Sequence, residues 1–207
     1  MAVSRAGRPA VFLDKDGTLI ENVPYNVDPA RIRLAPGGAA ALALFGRLGW
    51  PLVVVSNQPG VALGRFDVAA LDAVRLRLAH LCIEHGAELT DFLFCPHAPA
   101  SPGGDWPCAC RKPAPGMLTE AAARHGIDLA ASWMVGDILD DIEAGRRAGA
   151  RTILIDNGNE TEWRDGPLRR PHHRVADLFD AARIVARAGG LNVLPPAQSA
   201  ARSGALR

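Results

Sequence analysis

The chain has 207 residues, 48% of them apolar, which suits one domain with a substantial core. Its 23 basic and 22 acidic residues leave a net charge of +1, too little for a broad field toward nucleic acid or an anionic membrane. No apolar stretch approaches the ~20 residues that span a bilayer. Met1 to Pro9 lacks the apolar centre of a secretory signal, so a soluble cytoplasmic protein is expected. With no apolar surface stripe that demands a partner, a monomer is the default.

The first apolar run, residues 10–14, predicts a strand that ends in Asp14-Lys15-Asp16-Gly17-Thr18. Side chains two apart on a strand share a face, so Asp14 and Asp16 point into one site. Taken alone, D-x-D-G reads as a strand ending in a polar turn. Two crowded carboxylates that both stay ionised instead call for a cation such as Mg2+, which takes hard oxygen ligands. A proline-containing loop around Pro24-Tyr25-Asn26 fills residues 20–36, and a helical pattern covers 37–48. The next strand, 51–55, ends in Ser56-Asn57, which places a hydroxyl at a position comparable to that of Asp14.

A helix is expected over 67–85 and a strand over 91–95, followed by a loop over 96–115. Cys95 at the strand end, with His97, Cys108 and Cys110 in the loop, gives three soft thiolates and an imidazole that make a complete tetrahedral zinc set. With no ligand position left open, the zinc would be structural, a staple for a loop too poor in apolar residues to hold its own shape. The competing reading is a pair of chance dipeptides in a reduced protein. Cys82, in a helical stretch, reads as a small buried hydrophobe. The same loop carries Arg111-Lys112-Pro113, a cation in a stiff setting.

Beyond a helix over 116–125, a strand over 132–136 ends in Asp137, and Asp141 follows at i+4 spacing on the helix expected over 139–149. A strand over 151–155 and a helix over 175–188 complete the pattern. Between them Arg169-Arg170-Pro171-His172-His173-Arg174 reads as a solvated charged loop. Residues 1–188 are expected to form one domain, and 189–207, rich in Ala, Pro, Ser and Arg, a frayed tail.

Strands alternating with helices predict an α/β fold, a doubly wound parallel sheet covered on both faces, without a large cap domain. In such sheets ligands bind beyond the carboxyl ends of the strands, where the winding reverses. If the second and third strands extend one way from the first, and the fourth and fifth the other, then Asp14, Asp16 and Asp137 meet at the reversal. No folding requirement places three aspartates there.

With those residues assembled, the chain resembles the haloacid dehalogenase (HAD) superfamily phosphatases to about residue 188. The resemblance rests on D-x-D-G-T at Asp14–Thr18, on Ser56, on Lys112, and on G-D-x-x-x-D from Gly136 to Asp141. Ser56-Asn57-Gln58, the Gly60–Gly64 segment, Cys95-Pro96-His97 and Cys108-Ala109-Cys110-Arg111-Lys112-Pro113 are similar to the D-glycero-D-manno-heptose 1,7-bisphosphate 7-phosphatases. The histidinol-phosphate phosphatases share most of these features. A zinc-stabilised binding module without catalysis is a reading of another class.

The resemblance implies that Asp14 attacks phosphorus and that Asp16 protonates the leaving alkoxide, then activates water. It also implies Mg2+ on the Asp14 and Asp137 carboxylates and the Asp16 backbone carbonyl. Lys112 would supply positive charge, Ser56 and Thr18 hydrogen bonds, and Asp141 would orient Lys112. Asn57 and Arg111 could meet a distal part of a sugar phosphate substrate or brace the zinc loop. Two departures from the pattern stand out: Ile138 where a basic residue often follows Gly-Asp, and Pro24 where a glycine is common before Tyr25.

Overall fold

The computed structural model describes residues 7–99 and 108–193. The tail expected over 189–207 therefore lies outside the described residues from 194 onward, as does 100–107 of the zinc loop. Six parallel strands form one sheet: β1 (Val11–Leu13), β2 (Leu52–Asn57), β3 (Leu89–Cys95), β4 (Trp133–Gly136), β5 (Arg151–Ile155) and β6 (His173–Val175). They lie in the order β3-β2-β1-β4-β5-β6, the reversal anticipated from the alternating pattern. Val11, Phe12 and Leu13 pair on one side with Leu52, Val53 and Val54, and on the other with Trp133, Met134 and Val135.

Both faces of this sheet are covered, which is why its central strands read as continuous apolar runs instead of alternating ones. Val11, Leu13, Leu52 and Val54 point into one core with helices α1 (Gly38–Leu48), α2 (Ala70–Glu84) and α5 (Leu178–Ala188). Phe12, Val53, Val55 and Leu93 point to the other face, against Met117, Leu118 and Ala121 of α3 (Gly116–His125) and Ala144 of α4 (Leu139–Arg147). Cys82 is fully buried in the first core, and burial pushes its thiol up to about 12, as befits an inert hydrophobe.

Several expectations change on contact with the structure. Asp14 and Asp16 lie beyond the end of β1 at Leu13, so the turn and not a shared strand face places them. The helix expected from 175 begins at Leu178, since Val175 ends β6 and Asp177 caps the helix. The loop over 20–36 contains a short 3-10 turn at Pro29–Arg31, begun by Asp28 accepting from the Ala30 N–H at 2.9 Å. The helix expected from residue 67 starts at Ala70, because Asp67 accepts from the Ala70 N–H at 2.9 Å and holds 67–69 as a turn. The basic run over 169–174 is not simply a solvated loop. Arg169 donates to Asp140 at 3.0 Å and Glu143 at 2.8 Å, and His173–Val175 forms edge strand β6. Charge concealed the strand, since an edge strand tolerates polar side chains that a buried one does not.

Candidate active site

Asp14 follows the last residue of β1 and its N–H donates to the Val135 carbonyl at 2.9 Å, so the β1–β4 ladder carries it to the carboxyl edge. From the neighbouring strand end comes Asp137, and from the first turn of α4 comes Asp141. Carboxylate oxygens of Asp14, Asp137 and Asp141 all lie within 4.8 Å of one another, and all three residues are buried. Gly136 makes this possible: a Cβ there would stand 2.2 Å from Cβ of Asp141.

Lys112 reaches into the same cluster from the loop before α3. Its ammonium bonds Asp14, lies 2.6 Å from an Asp141 oxygen as an ion pair and donates to the Val55 carbonyl at 2.9 Å. Burial alone would lower the Lys112 pKa, but Asp14 and Asp141 outweigh it and the amine is held charged. Asn57 fixes the backbone behind it: its amide donates to the Lys112 carbonyl and accepts from the Lys112 N–H, each at 3.0 Å.

Three buried carboxylates against one ammonium leave an uncompensated negative charge. Burial and the neighbouring Asp14 push Asp137 up to about 6, although bonds from Asn159 and Thr18 oppose the shift. Burial likewise raises Asp141 despite Lys112. A divalent cation between Asp14 and Asp137 would remove the conflict, and oxygen donors suit Mg2+. The donor set therefore fits the ion.

Asp16 is held apart from this cluster. Lys15, itself buried, meets one of its oxygens at 2.9 Å and Gln58 donates to the other at 3.1 Å, while its side chain stays 30% exposed. Burial is the leading cause of its raised pKa, with Asp14 adding to it and Lys15 opposing. Gln58 also donates to the Ser56 hydroxyl oxygen at 2.7 Å, which leaves the Ser56 proton free for an acceptor in the site. Thr18 donates to Asp137 at 2.9 Å. Gly17 has φ +88°, and a Cβ on it would lie 2.2 Å from an Asp137 oxygen, so the D-x-D-G turn needs glycine for both reasons.

Several residues here escaped the reading of the sequence. Lys15 and Gln58 sit inside quoted motifs, but nothing in spacing showed that they flank Asp16. Asn157, Asn159 and Glu160 follow β5 in an Asn-Gly-Asn-Glu stretch that looks like ordinary turn chemistry.

Beside the carboxylates lies the second cluster. Sγ of Cys95, Cys108 and Cys110 and Nδ1 of His97 approach one another at 3.2–3.5 Å in four contacts. Ligands at ~2.3 Å in a tetrahedron would stand about 3.8 Å apart, so the cluster needs little expansion to take zinc. Burial works against ionising Cys108, but bonds from Cys110, Arg111 and Cys95 bring its thiol to about 7. Burial, together with the neighbouring Cys108 and Cys95 thiols, pushes Cys110 up to about 12. Thiols this close cannot all ionise without a cation among them, which is what a zinc site predicts. Arg111 donates to the His97 carbonyl at 3.1 Å and so braces this loop.

Comparison with known proteins gives a consistent set of likenesses. A HAD-hydrolase-like family model matches residues 109–182. The chain is 35% identical over 182 residues to a D-glycero-β-D-manno-heptose-1,7-bisphosphate 7-phosphatase of Pseudomonas aeruginosa, covering 87% of this chain and 97% of that protein. It is 40% identical over 186 residues to the protein of the same name from Mesorhizobium japonicum, covering 87% and 84%. Among solved structures, the D,D-heptose 1,7-bisphosphate phosphatase of B. bronchiseptica, complexed with magnesium and phosphate, matches with TM-score 0.75 and 32% identity, covering 86% of this chain and 98% of that one.

Proposed function

This chain belongs to the HAD-type heptose-bisphosphate phosphatase family, and we propose on that premise that it removes the 7-phosphate of D-glycero-β-D-manno-heptose 1,7-bisphosphate. The observation that carries the reading is the buried group of Asp14, Asp137, Asp141 and Lys112 beside a separately held Asp16. A binding module has no structural reason to keep such a group.

Asp14 uses one oxygen on Lys112 and attacks phosphorus with the other, forming an aspartyl phosphate as the bond to the sugar oxygen breaks. Asp16, kept protonatable by burial and aimed by Lys15 and Gln58, gives its proton to the departing oxygen. It then takes a proton from the water that attacks phosphorus and releases Asp14. Lys112 and the Ser56 hydroxyl meet the equatorial oxygens, where charge develops. Bound Mg2+, held by Asp14, Asp137 and the Asp16 carbonyl, would neutralise the same oxygens. Zinc on Cys95, His97, Cys108 and Cys110 would hold the loop that presents Lys112. Arg111, on that loop, and Asn57 are proposed to meet the distal phosphate with the N–H groups not already engaged on the His97 and Lys112 carbonyls.

We take residues 1–188 as one domain acting as a monomer on a small molecule, without nucleic acid or membrane. The net charge of +1 gives no broad field toward nucleic acid, and no helix among the described residues is long and apolar enough to cross a membrane. A reducing compartment such as the cytoplasm suits thiolate ligands.

The test is phosphate release with Mg2+ from both anomers of heptose 1,7-bisphosphate, histidinol phosphate and a sugar monophosphate. The expected result is preference for the β-bisphosphate by about a hundredfold, or ~2.7 kcal/mol of transition-state discrimination. Preference for histidinol phosphate would replace this reading, and silence on every substrate would return the chain to a binding role.

A further inference from the structure

The loop that leaves β5 touches three separate parts of the site within four residues. Asn157 donates through its side-chain amide to the Gly17 carbonyl at 2.7 Å. Asn159 donates to the second oxygen of Asp137 at 2.8 Å, while Thr18 occupies the first at 2.9 Å. Glu160 accepts from the Leu139 N–H at 2.7 Å, at the start of the helix that carries Asp141. The loop also organises itself, since the Asn159 N–H donates to the Asn157 side-chain oxygen at 3.2 Å.

A carboxylate with one donor on each oxygen cannot rotate freely about its last bond. Each oxygen of Asp137 thus spends one lone pair on a neutral donor and keeps another for a cation. A neutral amide is suited to this, because a lysine or arginine in its place would compete with the cation for the same charge. The packing around Gly17 shows how tightly the three parts meet: a Cβ there would stand 2.2 Å from Asp137 and 2.4 Å from the Asn159 amide nitrogen. Ile138, where a basic side chain would stand in the resembled pattern, is apolar and offers Asp137 no donor of its own.

We infer that Asn159 is a positioning residue that orients Asp137 for a divalent cation, and that Asn157 separately fixes the turn carrying Asp16 through the Gly17 carbonyl. The inference rests on the reading of Asp137 as a cation ligand. Outer-shell partners of this kind typically govern affinity or activity by 10–100-fold. The two asparagines act on different groups, so their removal has different signatures.

The experiment compares Asn159→Ala, Asn159→Ser and Asn157→Ala with the unaltered protein. Mn2+ binding is followed by its electron paramagnetic resonance signal, and Mg2+ activation, kcat and KM by phosphate release. Asn159→Ala should bind Mn2+ about 10–100-fold more weakly, with kcat largely restored at saturating Mg2+. Asn159→Ser, which keeps a donor, should recover part of that affinity. Asn157→Ala should lower kcat while leaving Mn2+ affinity within about threefold. Unchanged Mn2+ binding in a folded Asn159→Ala protein overturns the inference. So does an equal loss of affinity in all three variants that merely follows a lower melting temperature. Because Mn2+ binding needs no sugar, it distinguishes this failure from failure of the substrate reading.

Discussion

Cys110 and Lys112 are separated by a single residue, yet they belong to polar clusters held together by different means. The carboxylates converge from two strand ends and a helix start, and Lys112 reaches them from the loop before α3, all against a sheet buried on both faces. Only Cys95 of the thiol cluster sits on a strand; His97, Cys108 and Cys110 are carried by a partly exposed loop. Hydrophobic burial therefore assembles the first cluster against its own repulsion, whereas the second has little burial behind it and offers four ligands that a zinc ion would hold together. Asn57 and Arg111 are the links between them, one clamping the backbone of Lys112, the other the carbonyl of His97. The difference teaches that the same stretch of chain can owe its chemistry to the sheet and its geometry to a metal.

The comparison makes its largest demand on Asp14. Asp14→Asn should lower phosphate release by at least about 10⁴-fold, since the nucleophile is lost. Its melting temperature should be no lower than that of the unaltered protein, because one of three crowded charges goes. A variant that turns over at a tenth of the normal rate would show that Asp14 is not the nucleophile.

Lys112→Ala should be the most damaging to stability, because Asp14 and Asp141 would lose their buried counter-charge. Breaking such a pair costs roughly 3–5 kcal/mol. Urea unfolding at neutral pH measures it, and a change under 1 kcal/mol would mean the carboxylates relax or protonate without penalty.

In the thiol cluster, Cys110→Ser should reduce zinc content from about one per chain and lower the melting temperature. Activity should fall about 10–100-fold through displacement of Lys112. Zinc-free protein with unchanged melting and turnover would break the dependence of loop shape on metal.

The smallest expected effect falls on the link. Asn57→Ala removes two hydrogen bonds to the Lys112 backbone, worth about 1–3 kcal/mol together. It should lower kcat more than it lowers stability, with zinc retained. Loss of zinc in this variant would show that the two clusters are not separable.

What was legible in the sequence followed from local rules. Apolar runs ending in Asp14, Ser56 and Asp137 announce strands whose ends share one edge, and the alternation with helices announces a parallel sheet. The spacing of Cys95, His97, Cys108 and Cys110 announces a tetrahedral metal set. The edge strand His173–Val175 was hidden, because its charged and imidazole side chains follow solvent exposure and not the apolar pattern of a buried strand.

The sequence by itself determined which chemical groups the protein owns and that Asp14, Ser56 and Asp137 share one end of the sheet, because each closes an apolar run and parallel strands all end at one carboxyl edge. Tertiary structure alone decided their partners. Lys112 meets Asp14 across 98 positions, Asn159 meets Asp137 across 22, and Asn157 meets Gly17 across 140. Such pairings depend on how crossovers stack strands and on how loops close against one another. No periodicity along the chain encodes those distances, so they become visible only when the burial of both faces of the sheet has brought the strand ends together.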